Sequence, residues 1–204
     1  MNRFLIISVV VLFAAAYGVA GQYNEVLSIG DRAPAWVKLP GTDGKDHSLA
    51  DLSDKPVVVV VFTCASCPTA VDYEERINAL AKAHGEKGQV AVVAISVNKV
   101  TQDQLPALTE RAKQKGFAFT YLYDESQKIA KDFGAVFTPE FYVLDRDRKV
   151  VYMGAMDDAT DAAKVTKKYV EEAITASLAG KKPAETEVIA RGCRVRYARE
   201  RRGK

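Results

Sequence analysis

The sequence predicts an α/β sandwich in which helices flank a central mixed β-sheet. Two continuous apolar runs, residues 57–62 and 90–95, are typical of central strands that are buried on both faces. Segments with apolar residues at helical spacing follow each run. A chain of 204 residues with 48% hydrophobic side chains is long enough to bury one ordinary core around such a sheet.

The elements are expected in the order β-α-β-α-β-α-β-β-α. Turn residues between short apolar stretches predict small strands and a hairpin over residues 25–56, ahead of the main sheet. A helix is expected from Pro68 to His84, because apolar residues recur there at helical spacing and Gly85 can end the helix. The other predicted elements are strands at 57–62, 90–95 and 118–121, helices at 104–115 and 126–133, an antiparallel hairpin of 141–144 with 150–153, and a last helix at 161–178.

The first 20 residues are typical of an export signal. Arg3 precedes an apolar run over residues 4–13, and small residues lead to Ala20, where cleavage is expected. An uncleaved anchor helix is the alternative, because the uncharged stretch 4–20 spans 17 positions, the lower limit for crossing a bilayer. Either interpretation predicts an exported protein whose folded part is periplasmic or otherwise extracytoplasmic.

The net charge of +3 is unevenly distributed. Residues 191–204 carry seven Lys/Arg against one acid, a local charge of +6, which leaves −3 for the remaining chain. A basic tail on a mildly acidic body is not typical of a nucleic-acid-binding domain, whereas membrane contact is open to this tail or to an uncleaved N-terminal helix. The predicted organisation is a leader at 1–20, a domain at 25–180 and a basic tail at 181–204 that contains Cys193.

The candidate active site is the pair Cys64 and Cys67, at the junction of a predicted strand and helix. Two cysteines three positions apart in a tight turn can reach the Cα separation of about 5.5 Å that a disulfide prefers. Pro68 suits the first helical position, which places both sulfurs near the positive end of the helix dipole. A thiolate is favoured there, and it can attack a disulfide or another oxidant before its neighbour resolves the intermediate.

A zinc site and a static structural disulfide are the alternative interpretations of this pair. Zinc needs further ligands, and the remaining candidates, Cys193, His47 and His84, have no paired spacing. A disulfide that closes so short a loop stabilises the fold only weakly. Redox chemistry is therefore the preferred hypothesis, and it requires neither a metal nor an organic cofactor.

Thr138 and Pro139, just before a predicted strand, complete a resemblance to the thioredoxin-like superfamily over about residues 28–179. In that superfamily a cis-proline loop faces the CxxC motif, which implies that Thr138 and Pro139 bind an extended substrate. Thr63, at the position of the tryptophan that usually precedes the first cysteine, joins them as a candidate substrate-binding residue. The resemblance implies a thioredoxin-like fold with an N-terminal hairpin extension and an inserted helix.

The inserted helix is similar to that of the redoxin branch, which includes peroxiredoxins and exported thioredoxin-like reductases. Three stretches resemble its peroxiredoxin-like, alkyl hydroperoxide reductase and thiol-specific antioxidant members: residues 62–68, 121–125 and 138–141. The match to peroxiredoxins is incomplete. Cys64 stands where peroxiredoxins have a threonine. Peroxiredoxins also have an arginine near the position of Thr138, whereas residues 134–144 contain no arginine.

The chain also departs from thioredoxin and from copper-delivery proteins of this fold. The buried acid of thioredoxin should fall near Val58, so Asp72, Glu74 and Glu75 are the acids considered in its place. Copper-delivery proteins have one more residue between the cysteines and a histidine far downstream, whereas His84 follows Cys67 by only 17 residues.

Cys193 admits three interpretations: a resolving thiol for Cys64 or Cys67, an intermolecular link, or an unpaired residue. The neighbouring arginines at 191, 194 and 196 are expected to lower its pKa and make it more reactive.

The preferred hypothesis is an exported thiol–disulfide oxidoreductase with Cys64, Cys67 and Cys193 as candidate catalytic residues. Thioredoxin analogy makes Cys64 the attacking thiol and Cys67 the resolving one, whereas a peroxiredoxin alignment makes Cys67 the nucleophile. The expected partners are a protein or small-molecule thiol or disulfide and a second redox protein. A thiol-dependent peroxidase is the alternative, followed by a copper-binding carrier.

Overall fold

The computed structural model describes residues 21–85 and 88–199 of the chain. The predicted leader at residues 1–20 lies outside these described residues. Among the helices of the described ranges, none combines the length and the apolar character needed to cross a bilayer.

In the described residues, the strands form one large sheet and two short ribbons. The large sheet has six strands in the order β5-β4-β3-β7-β8-β9, with β3 parallel to β4 and antiparallel to β7. The predicted mixed sheet is therefore confirmed. The strand bounds are β1 Leu39–Pro40, β2 Asp46–His47, β3 Val57–Phe62, β4 Val90–Ser96, β5 Thr120–Tyr123, β6 Phe137–Thr138, β7 Glu140–Leu144, β8 Val150–Gly154, β9 Glu187–Val188 and β10 Cys193–Arg194.

Helices cover both faces of this sheet: α1 Pro68–Gly85, α2 Leu105–Lys115, α3 Lys128–Phe133 and α4 Tyr169–Leu178. Alternate residues of β3 enter two separate cores. Val57, Val59 and Val61 pack in the core that contains residues of α1, α2 and α4. Val58, Val60 and Phe62 pack in the core that contains residues of α3 and the N-terminal segment. Burial on both faces explains why β3 is an uninterrupted apolar run.

The last helix is shorter than predicted. It begins at Tyr169 rather than at Asp161, and residues 162–164 form a short 3-10 turn that Asp161 caps by accepting from the Ala163 N–H. The Asp158 carboxylate accepts hydrogen bonds from the backbone N–H groups of Thr166 and Lys167, at 2.9 and 3.0 Å. These side-chain acceptors compete with helical backbone bonds, so residues 165–168 stay non-helical and the α-helix begins only at Tyr169.

The C-terminal tail contributes strands that its sequence pattern does not predict. β9 pairs in parallel with β8 at the edge of the large sheet, and β10 pairs antiparallel with β6. Gly154 has a φ of +130°, and a Cβ there would lie 1.7 Å from the Val188 carbonyl oxygen. A side chain at this position would therefore separate β9 from the sheet.

Candidate active site

The two cysteines of the CxxC motif lie in the turn between β3 and α1. Cys64 is 2% exposed and Cys67 is 1% exposed. Cys67 immediately precedes Pro68, the first residue of α1, and its carbonyl accepts the Val71 N–H at 3.0 Å. The Cys67 sulfur accepts the Ala70 N–H at 3.4 Å. Cys67 is thus the N-cap residue, with sulfur in place of the usual side-chain oxygen.

The cis-proline loop lies directly against both thiols. The Thr138–Pro139 peptide bond is cis, as the family resemblance implies. The Thr138 carbonyl accepts the Cys67 thiol at 3.1 Å, and the Thr138 hydroxyl lies 3.4 Å from the Cys64 sulfur. Thr63 is buried at the end of β3, where its N–H donates to the Ile95 carbonyl at 3.1 Å. The structure therefore brings four of the predicted site residues together and gives Thr63 a backbone contact with β4.

Cys193 completes a cluster of three cysteines. It packs against the group formed by Cys64, Cys67 and Ala70. Its backbone N–H donates to the Cys67 sulfur at 3.4 Å. Because Cys193 is paired with Thr138 in the ribbon of β10 and β6, its position is fixed by backbone bonds.

The pKa values of the two motif thiols shift in opposite directions. Burial raises the pKa of Cys67, but hydrogen bonds from the Cys193 thiol and from the Ala70 and Cys193 N–H groups outweigh burial, so its pKa is lowered overall. Burial also raises the pKa of Cys64, and the negative charge of Asp103 raises it further. Cys67 is therefore the thiol that ionises more readily.

The pKa of Cys193 is raised to about 11, first because its thiol donates to Cys67 and then because of burial. The expectation that neighbouring arginines lower this pKa is wrong. Arg196 does act in the lowering direction, but more weakly than the hydrogen bond and burial. Cys193 is therefore the less acidic thiol of this pair.

Asp103 is a site residue that the sequence analysis missed. Its buried carboxylate accepts from the Ser66 N–H at 2.8 Å, the Ser66 hydroxyl at 2.5 Å and the Asn98 amide at 3.0 Å. The Ser66 hydroxyl in turn lies 3.6 Å from the Cys64 sulfur. Asp103 thus holds the turn between the cysteines in place and adds negative charge beside Cys64.

A signal for Asp103 does exist in the sequence. Asn98 and Asp103 follow β4, and β4 runs parallel to β3. The carboxyl ends of parallel neighbours lie at the same edge of a sheet, where functional residues collect. The acids considered from the sequence lie elsewhere. Glu74, for example, forms a two-point ion pair with Arg111, at 2.5 and 2.8 Å.

Glu140 is a second buried acid at the site, on the other side of the cis-proline. It accepts from the N–H groups of Val136 and Phe137, both at 2.8 Å, and from the Tyr142 hydroxyl at 2.9 Å. Burial raises the pKa of Glu140, and these three donors offset part of that rise. Glu140 therefore fixes the backbone just ahead of Thr138.

The histidine considered for copper binding is engaged elsewhere. His84 lies in the last turn of α1 and pairs with Glu171 at 3.1 Å. Within residues 21–85 and 88–199, no group of three or more His, Cys, Asp or Glu side chains is arranged to hold a metal ion.

The fold and the cysteine cluster define a thioredoxin-like protein. Residues 28–174 match the family model described as Redoxin, so the chain belongs to the Redoxin family.

Two kinds of named relative match this family segment. The chain is 30% identical over 130 residues to the thiol-disulfide oxidoreductase ResA of Bacillus anthracis. This match covers 63% of this chain and 70% of ResA. It is 26% identical over 141 residues to a Mycobacterium tuberculosis protein described as a "putative peroxiredoxin", covering 61% of this chain and 83% of that one.

Two solved structures match a larger share of the chain. A hypothetical protein of Sinorhizobium meliloti 1021 is 33% identical, with a TM-score of 0.79, over 86% of this chain and 97% of that one. An uncharacterised conserved protein of Geobacillus kaustophilus is 29% identical, with a TM-score of 0.80, over 87% of this chain and 96% of that one.

Proposed function

We propose that this protein is an exported thiol–disulfide oxidoreductase whose redox dithiol is formed by Cys64 and Cys67. The observation that carries the proposal is the position of the Cys67 sulfur. It caps α1, touches the Thr138 carbonyl and has a lowered pKa. A thiol in this environment is readily converted into the thiolate that attacks disulfides.

The proposal makes Cys67 the attacking residue. Its thiolate forms a bond to one sulfur of a substrate disulfide, the substrate S–S bond breaks, and the released thiolate takes up a proton. Cys64 then loses its proton and attacks the Cys67 sulfur, which expels the second substrate thiol and leaves a Cys64–Cys67 disulfide. Two electrons pass to the substrate. The reverse sequence oxidises a dithiol substrate, and the reduction potential relative to the partner decides the direction.

This order differs from the thioredoxin analogy, in which Cys64 attacks first. The environment of Cys64 supports the resolving role, because burial and the Asp103 charge keep it protonated until a mixed disulfide forms. The Ser66 hydroxyl, which lies 3.6 Å from the Cys64 sulfur and donates to Asp103, links Cys64 to a carboxylate that can accept the departing proton. Thr138 contacts both sulfurs and supports the alignment of the two steps.

Export is the second part of the proposal. It is supported by the charged, apolar and small-residue segments of residues 1–20. An extracytoplasmic location suits a protein that exchanges disulfides, because disulfides persist there. The physiological substrate is then a protein or small-molecule disulfide or dithiol, and a separate redox partner restores the starting state.

Insulin reduction and covalent trapping test the assignment of the dithiol. Wild-type protein should accelerate the reduction of insulin disulfides by dithiothreitol, and Cys67→Ser should reduce the rate to the uncatalysed background. In a Cys193→Ser background, Cys64→Ser should accumulate a mixed disulfide on Cys67, whereas Cys67→Ser should accumulate much less on Cys64. Wild-type protein that fails to accelerate insulin reduction would overturn the proposal.

A thiol-dependent peroxidase is the second candidate. One observation favours it: the thiol with the lowered pKa is Cys67, which is the nucleophile in a peroxiredoxin alignment. The reduced protein would then consume hydrogen peroxide in a stopped-flow experiment far faster than free cysteine. A rate equal to that of free cysteine rules the peroxidase out and leaves the oxidoreductase proposal intact.

A further inference from the structure

The C-terminal tail occupies the edge of the cis-proline loop, where an extended substrate would otherwise pair. In the ribbon of β10 and β6, Cys193 is opposite Thr138 and Arg194 is opposite Phe137. Gly192 approaches this edge closely, since a Cβ at its position would lie 2.0 Å from the Thr138 carbonyl oxygen. The tail strand therefore takes the position of a bound peptide, with a cysteine directly over the motif.

Several hydrogen bonds hold the residues that follow Cys193. The Val195 N–H donates to the Val136 carbonyl at 2.9 Å, and the Arg196 N–H donates to the Asn98 side chain at 2.9 Å. The Tyr197 hydroxyl donates to the Ala135 carbonyl at 2.6 Å. Val195 is buried in the core beside α3. These contacts keep the tail close to the active site even when β10 itself separates from β6.

Cys67 thus has two cysteine neighbours with different relations to it. The Cys193 backbone N–H donates to the Cys67 sulfur at 3.4 Å, and hydrogen bonding from the Cys193 thiol lowers the pKa of Cys67. Cys64 contacts the hydroxyls of Thr138 and Ser66 instead. The 3.4 Å contact of the Cys193 N–H and the packing of Cys193 against Cys64, Cys67 and Ala70 place Cys193 beside the Cys67 sulfur in the reduced protein.

We propose that Cys193 is a third catalytic thiol, which resolves the mixed disulfide on Cys67 by forming a Cys67–Cys193 disulfide. The proposal rests on the oxidoreductase function with Cys67 as the attacking residue. A substrate disulfide reaches Cys67 when residues 192–194 separate from β6, and the anchored tail then returns Cys193 to the same sulfur.

The route consists of three thiol–disulfide exchanges. Attack by the Cys67 thiolate on the substrate disulfide forms Cys67–S–S–R and releases the first thiol. The Cys193 thiol loses its proton to that leaving group or to solvent, and its thiolate attacks the Cys67 sulfur. The second substrate thiolate leaves and takes up a proton. A later attack by Cys64 on the Cys67 sulfur converts the product into Cys64–Cys67 and frees Cys193.

Titration of Cys64→Ser with 5,5′-dithiobis(2-nitrobenzoate), an aromatic disulfide, tests this route. The variant should release two thionitrobenzoates per chain in two phases and end with a Cys67–Cys193 cross-link, detected by mass spectrometry. The matched control, Cys64→Ser with Cys193→Ser, should release one and keep a stable adduct on Cys67. A stable adduct on Cys67 in Cys64→Ser alone, or two separate adducts, or no release at all, would overturn the proposal.

A second variant tests the role of the tail strand without removing a thiol. Gly192→Ala, made in Cys64→Ser, should slow the second phase by roughly tenfold or more, because the added Cβ lowers the local concentration of Cys193 at Cys67. Gly85→Ala is the control, since a Cβ there meets nothing within 4 Å. Equal second phases in the two glycine variants would contradict the proposal.

Insulin reduction by the wild-type protein separates this inference from the proposed function. If Cys64→Ser keeps a stable adduct while the wild-type protein still reduces insulin, Cys193 is not a resolving thiol and the oxidoreductase function stands. If the wild-type protein does not reduce insulin, the proposed function fails whatever disulfide Cys64→Ser forms.

Discussion

The groups on the two sides of the CxxC turn shift the pKa values of its two thiols in opposite directions. On one side, Cys64 lies near Ser66 and the buried carboxylate of Asp103, and its pKa is raised by burial and by that negative charge. On the other side, Cys67 gathers hydrogen-bond donors from α1 and from β10, and its pKa is lowered although burial opposes the shift. The two residues belong to one motif and are almost equally buried.

The comparison shows that position relative to the first helical turn matters more than membership of the motif. Only the N-cap residue can present its side chain to the free N–H groups of the turn. Cys67 is that residue, and its sulfur accepts the Ala70 N–H. Cys64 lies three positions earlier and contacts hydroxyl groups instead. A helix dipole close to both sulfurs therefore does not make them equivalent.

Removal of the Asp103 carboxylate, on the Cys64 side of the turn, should have the largest effect, a loss in the free energy of unfolding. Asp103→Ala leaves the Ser66 N–H, the Ser66 hydroxyl and the Asn98 amide without their acceptor. The loss of a fully buried acceptor shared by three donors should lower the free energy of unfolding by about 2–4 kcal/mol. Urea unfolding at pH 7 measures this change.

Asp72→Ala is the matched control, because Asp72 is an exposed carboxylate on α1. Its effect should stay within about 0.5 kcal/mol. If the two alanine variants lose the same free energy of unfolding, the buried network around Asp103 does not stabilise the CxxC turn.

Much of the fold and the centre of the site could be predicted because local patterns determine them. The Val-rich run of β3 and the second run of β4 identify strands that are buried on both faces, whatever the rest of the chain does. Pro68 fixes the start of α1 and with it the N-cap position of Cys67. Thr138 and Pro139 follow from the family resemblance, and they lie where that resemblance requires.

The tail could not be predicted because distant side chains fix it. The Ala198 N–H donates to Gln127, and the Arg196 N–H donates to Asn98, 71 and 98 residues away. No periodicity in residues 184–199 encodes these bonds. The raised pKa of Cys193 could not be predicted from the sequence for the same reason. Its arginine neighbours in sequence suggest a lowered pKa, but its neighbour in space is Cys67, and that hydrogen bond dominates.

A neutral replacement of Asp103 should bring the pKa of Cys64 closer to that of Cys67. Asp103→Asn keeps the size of the side chain and removes the charge that raises the pKa of Cys64. That pKa should fall but remain raised, because burial is its larger cause. The thiolate fraction of Cys64 at pH 7 should therefore increase several-fold.

The rate of iodoacetamide modification of Cys64 measures this change in chains that carry Cys67→Ser and Cys193→Ser. Asp132→Asn, a change on α3, is the control and should leave the rate unaltered. An unchanged or slower rate in Asp103→Asn would mean that the carboxylate does not set the ionisation of Cys64.

Removal of the Cys193 thiol should have a smaller effect, confined to Cys67. Cys193→Ala deletes one donor to the Cys67 sulfur but keeps the backbone N–H groups of Cys193 and Ala70. The pKa of Cys67 should therefore rise, so that its thiolate forms at higher pH and its amount at a fixed pH below this pKa falls a few-fold. Thiolate absorbance at 240 nm, followed against pH in the Cys64→Ser background, measures the midpoint.

Cys193→Ser separates the loss of the donor from any change in packing. A serine hydroxyl can still donate to the Cys67 sulfur. The pH midpoint of Cys67 ionisation in Cys193→Ser should therefore lie closer to that of the parent chain than the midpoint in Cys193→Ala does. If alanine and serine give the same midpoint as the parent, the backbone N–H groups alone account for the lowered pKa of Cys67. The difference between the two sides of the turn would then arise from the α1 N-terminus and from the Cys193 N–H group of β10, without a contribution from the Cys193 thiol.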